Sequence, residues 1–83
     1  MARVAVVDGV VIMLYENEHP PPRFHAKIAE FSAVIGIDKL VVVRGKLPPN
    51  KLGAVLDWAR SRQSILRESF ELVREKRKIG LIP

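Results

Sequence analysis

The hydrophobic period of this chain changes once, at Pro48-Pro49. Before that point, apolar and β-branched residues come in short runs with a two-residue repeat. After it, Leu52, Val55, Leu56 and Ala59 fall at i, i+3, i+4 and i+7, the stripe of an amphipathic helix. Proline lacks the N–H that a strand ladder needs, and its fixed φ suits the first helical turn, so the same two residues stop strand geometry and start a helix. Strands first and helices last predict an α+β fold: an antiparallel sheet of about five short strands followed by two C-terminal helices packed on one face.

Arg3 to Val7 and Val10 to Tyr15 flank Asp8-Gly9, a dipeptide suited to the positive φ angles of a type I′ hairpin; one long strand with a glycine bulge is the alternative. From Arg23 the pattern alternates, with Phe24, Ala26 and Ile28 on one side and His25 and Lys27 on the other, so His25 is expected to point off the core. Phe31 to Ile37 and Leu40 to Arg44 read as two more strands parted by Asp38-Lys39. Leu66, Phe70 and Val73 continue the helical stripe beyond the polar Ser61-Arg62-Gln63-Ser64, which predicts two helices, with one kinked helix as the alternative. These helical residues should face Phe24, Ala26, Ile28, Ala33, Ile35 and Ile37. A single domain over 1–83 is expected, with strands within about 3–44, helices within about 49–78 and a frayed tail at 79–83.

The sequence has 83 residues and no cysteine, which excludes disulfides and thiolate chemistry and suits a reducing cytoplasm. No apolar run approaches the roughly 18 residues of a membrane span, and no secretory h-region is present, so a cytoplasmic protein with no membrane partner is expected. Val10 to Leu14 and Leu40 to Val43 carry more apolar surface than one helical layer covers, which predicts a homodimer. Net charge is +5, unevenly placed: residues 1–43 hold four Lys/Arg against five Asp/Glu, and residues 44–83 hold ten against four. Arg60, Arg62, Arg67, Arg74, Lys76, Arg77 and Lys78 are the candidate phosphate contacts for RNA; a solvated helix face is the bland reading of the same charge.

Tyr15 to Ala26 contains the run His19-Pro20-Pro21-Pro22-Arg23-Phe24-His25-Ala26, in which three prolines hold a stiff connection between polar side chains. Here the chain resembles a small bacterial family, domain of unknown function 4160, whose box reads roughly His-x-Pro-Pro-His-Phe-His-Ala. It matches at His19, Pro21, Pro22, Phe24, His25 and Ala26, and Tyr15, Gly45 to Pro48 and the helix of Trp58 are also similar. Arg23 stands where the box usually has a histidine, which puts in doubt any mechanism needing both inner histidines. The resemblance implies a component of a two-gene, toxin–antitoxin-like module with a small partner protein encoded nearby.

Three chemical readings follow from the box. A metal-independent ribonuclease needs a base, an acid and a cation, roles that His25, His19 or Glu18, and Arg23 can fill, with Tyr15 as a stacking surface or proton donor. A metal site would use His19 and His25 with Glu16 or Glu18, but a six-residue separation over a proline loop does not set tetrahedral geometry, and no metal or other cofactor is expected. The rival is a non-catalytic protein-interaction subunit. Ser32, Ser61, Ser64 and Ser69 lack a nucleophile-elbow setting, and the five isolated glycines form no phosphate-cradling loop.

Overall fold

Asp8 and Gly9 take φ of +51° and +82°, the two positive values a type I′ turn requires, and they close a hairpin between β1 (Ala2–Val7) and β2 (Val10–Leu14). The computed structural model describes residues 1–83. Three further strands follow, β3 (Arg23–Ile28), β4 (Phe31–Gly36) and β5 (Val42–Lys46), all antiparallel in the order β1-β2-β3-β4-β5. Helices α1 (Pro49–Arg60) and α2 (Gln63–Arg74) pack on one face, α1 against β1 and α2 against β2 and β3. The fold is the α+β meander that the change of period predicts.

The buried layer comes from alternate residues of the strands and one stripe of each helix. Phe24, Ala26, Ala33, Ile35 and Ile37 meet Val55, Ala59, Leu66, Phe70 and Val73 in one core. Leu52, Leu56 and Ile28, expected in the same layer, are only half-buried against its rim. Val4 and Ala5 are both buried although consecutive, because β1 slips register between Arg3 and Ala5 and presents an extra residue to the core.

The two helices meet at Ser61-Arg62. The N–H of Arg62 donates to the Ala59 carbonyl (2.9 Å), and the Gln63 side chain donates to the carbonyls of Ile37 (2.8 Å) and Asp38 (3.0 Å). The polar residues that interrupt the stripe therefore tie the start of α2 to the end of the fourth strand.

Several boundaries differ from the sequence reading: the last strand runs to Lys46, past the expected residue 44, and α2 ends at Arg74, short of the expected residue 78. The fifth strand starts at Val42 instead of Leu40, because Gly36 and Leu40 close a loop: Leu40 N–H donates to Gly36 O and Gly36 N–H to Val41 O, both at 2.9 Å, with Leu40 at φ +52°. The tail is not frayed. Ile82 is buried, its N–H donates to the Val4 carbonyl (2.8 Å), and Arg62 Nε donates to the Pro83 carbonyl. Burial of an isoleucine outweighs the chain entropy that charge and glycine content alone suggested. The tail thereby lies along the β1 edge, leaving β5, whose five residues are all exposed, as the open edge of the sheet.

Candidate functional site

Strand parity and register determine which side chains share the sheet face opposite the helices. One cross-strand row runs Met13, His25, Val34, Arg44, with Arg3 opposite Met13; the next runs Val11, Lys27, Ser32, Lys46. His25 thus sits on the central strand, on the face away from the core, as the alternation in β3 predicts.

His25 is held from two sides. The Tyr15 ring lies 4.1 Å from it, centroid to centroid and tilted by 40°, and its Nε2 is hydrogen-bonded to Glu18 Oε1. A carboxylate only accepts, so Nε2 is the donor in this contact, and in the tautomer that leaves the ring uncharged Nδ1 holds the lone pair. The two side chains are only 17% and 15% exposed, so solvent screens this contact less than it does a surface ion pair. Glu18 belongs to the connection between β2 and β3, seven residues before His25 in the chain.

The remaining predicted box residues do not join that pair directly. His19 is exposed and makes no side-chain hydrogen bond, while Arg23 Nε donates to the Pro21 carbonyl (3.4 Å) at the entrance to β3. Glu16 lies apart from His25, lining a shallow depression with Lys76, Arg77 and Lys78 at the end of α2. No three His, Asp or Glu side chains converge in an arrangement able to hold a metal ion.

The basic residues divide into two populations. On the helices, Arg60 pairs with Asp57, Arg67 with Asp38, Arg74 with Glu71 (3.1 Å) and Arg77 with Glu75 (3.8 Å). Arg62 donates to the Trp58 carbonyl (2.7 Å) and covers the Trp58 ring at 5.3 Å. Of the seven helical and tail cations singled out in the sequence, only Lys76 and Lys78 have no protein partner. On the sheet, Arg3, Lys27, Arg44 and Lys46 have no carboxylate partner, and none of the five strands contains an acidic residue. Four unpaired cations therefore share the open sheet face, a grouping that net charge by half-chain does not reveal. The signal was present in the parity of the strands, since Lys27 shares that of His25.

The family model described as Domain of unknown function (DUF4160) matches residues 9–71. The chain belongs to this family. The match spans β2 to most of α2 and includes Tyr15, Glu18 and His25; β1 and the tail that pairs with it lie outside. No curated protein and no solved structure matches the chain. No helix is long and apolar enough to cross a membrane.

Chemically, the arrangement offers an imidazole with a carboxylate on one nitrogen, an aromatic ring beside it, and unpaired cations on both sides along the sheet. A carboxylate in that position orients the ring and stabilises the imidazolium that forms when Nδ1 takes a proton.

Proposed function

We propose that this chain is the RNA-binding component of a small bacterial two-gene, toxin–antitoxin-like module, acting in the cytoplasm, and that it cleaves RNA without a metal at His25. This reading takes the His-x-Pro-Pro-x-Phe-His-Ala box as the family's functional feature; His25 of the box lies on the open sheet face, and Glu18, which precedes the box, is hydrogen-bonded to it. The observation that carries the reading is the juxtaposition of the His25–Glu18 pair and Tyr15 with four unpaired cations on a face free of strand carboxylates. Cations there neutralise backbone phosphates and an aromatic ring stacks on a base, the two contributions that dominate single-strand binding.

In the reaction, His25 Nδ1 takes the proton of a ribose 2′-hydroxyl. The 2′-oxygen forms a bond to phosphorus as the bond from phosphorus to the 5′-oxygen breaks; the proton this oxygen needs is assigned to His19, which lies exposed in the connection before β3 and is not hydrogen-bonded to His25. The products are a 2′,3′-cyclic phosphate and a 5′-hydroxyl. Arg23 stabilises the charge on the phosphate.

The test is an RNA cleavage assay with and without chelator. Chelator should leave cleavage unchanged, and His25→Ala should reduce it by about 10²–10⁴-fold while the circular dichroism spectrum stays that of the wild type. Binding without cleavage would remove the enzymatic part and leave an RNA-binding protein.

The second reading is a protein-interaction subunit, and β5 favours it. Val41, Val42 and Val43 are 50%, 37% and 55% exposed beside an unpaired strand edge. A second copy of the chain or the small partner protein would add a strand there. Sedimentation of a 9.3 kDa monomer at micromolar concentration would remove the homodimer.

A further inference from the structure

Five residues of the sheet, outside the histidine–proline box, surround one depression beside His25. It measures about 60 Å³ and is lined by His25, Ser32, Ala33, Val34, Arg44 and Gly45. We infer that this depression is a phosphate subsite, in which the Arg44 guanidinium and the Ser32 hydroxyl hold one backbone phosphate of an RNA strand next to His25; the inference rests on the RNA reading above and names where the backbone is gripped.

The register builds the site. Arg44 stands opposite Val34, which stands opposite His25, so the guanidinium and the imidazole belong to one row two strands apart. Ser32 is flanked in its own row by Lys27 on β3 and Lys46 on β5. Neither the Ser32 nor the Arg44 side chain is hydrogen-bonded to another part of the protein, and both residues are exposed, so their side-chain donors are free for a ligand. No carboxylate lines the depression. Glycine at position 45 leaves the β5 backbone bare: a Cβ there would meet the Ser32 carbonyl oxygen at 2.2 Å, so β4 and β5 approach more closely than any side chain at this position allows. Guanidinium and hydroxyl donors with two flanking ammonium groups form a set suited to phosphate and unsuited to a cation or an apolar ligand.

The test uses the whole chain, a fluorescein-labelled single-stranded RNA and, separately, inorganic phosphate. Arg44→Gln should weaken RNA binding by about 10-fold and reduce the slope of log K against log salt by about 0.7, the value for one phosphate contact on a single strand. Arg44→Lys should restore the slope. Ser32→Ala should weaken binding without changing the slope, because a hydroxyl carries no charge. Lys39→Gln, an exposed lysine in the loop before β5, is the charge-matched control and should leave both unchanged. In NMR titrations inorganic phosphate should shift the Ser32 and Arg44 amides and the His25 ring in the wild type, and should not do so in Arg44→Gln. RNA binding by Arg44→Gln with wild-type affinity and slope overturns the subsite and leaves the RNA reading standing. A wild-type chain that binds phosphate at these residues but no RNA overturns the RNA reading and leaves an anion site.

Discussion

Gly45 and Gly53 should respond in opposite directions to the same change, replacement by alanine. At position 45 two costs combine. The backbone φ is +78°, a left-handed conformation that costs an L-residue about 1–2 kcal/mol. The new Cβ would also stand 2.2 Å from the Ser32 carbonyl oxygen and 3.1 Å from the Ala33 Cα, both backbone atoms of the paired strand. Relief requires β5 to move away from β4 by about 1 Å, and such overpacking costs about 1–3 kcal/mol. The loss is about 2–5 kcal/mol in a domain whose length corresponds to about 4–12 kcal/mol of total stability. At position 53 a Cβ meets nothing within 4 Å and the residue is inside α1, where alanine is favoured over glycine by about 1 kcal/mol. Urea unfolding followed by circular dichroism separates the two. With a slope of about 1 kcal/mol per molar, the midpoint of Gly45→Ala should fall by about 2 M or more while that of Gly53→Ala rises by about 1 M. Gly45→Ala with the wild-type midpoint would refute the close approach of β4 and β5, and with it the shape of the depression beside His25.

Leu66 is fully buried and Leu56 only half, so Leu66→Ala should cost about 2–5 kcal/mol and Leu56→Ala about half as much in the same urea assay. Ile82→Ala should lower stability by about 2 kcal/mol, and the Ile82 amide should be protected from hydrogen exchange; exchange at the rate of a free peptide would return the tail to a frayed state. Ala29 holds φ +52° in the turn between β3 and β4, so Ala29→Gly should raise the thermal midpoint, with a gain of about 1 kcal/mol.

Much of the fold was legible because its signals are local. Pro48-Pro49, Asp8-Gly9 and the alternation from Arg23 each act within a few residues, and the structure has a helix start, a type I′ turn and a half-buried strand at those places. The position of His25 followed for the same reason, since parity places it opposite Phe24 whatever the rest of the chain does. Glu18 was only one of several carboxylates near the box; in the folded chain it, and not Glu16, meets the imidazole.

Charge was the least legible property. A count of cations by half-chain pointed to the helices, yet most helical arginines face carboxylates or carbonyls contributed locally or by distant residues such as Asp38 and Pro83. Apart from Lys76 and Lys78 after α2 and Lys39 in the loop before β5, the cations left unpaired lie on β1, β3 and β5, far apart in sequence. The amino-acid sequence by itself determined the order of elements, the side of each strand that faces the core, and the placement of His25 off that core, because these follow from periods of two and 3.6 residues and from proline and glycine geometry. Only the tertiary structure decided that Glu18 meets His25, that Ile82 returns to β1, and that Ser32 and Arg44 share a depression with the histidine, because each of these contacts joins residues whose separation is set by strand register and loop path instead of by local period.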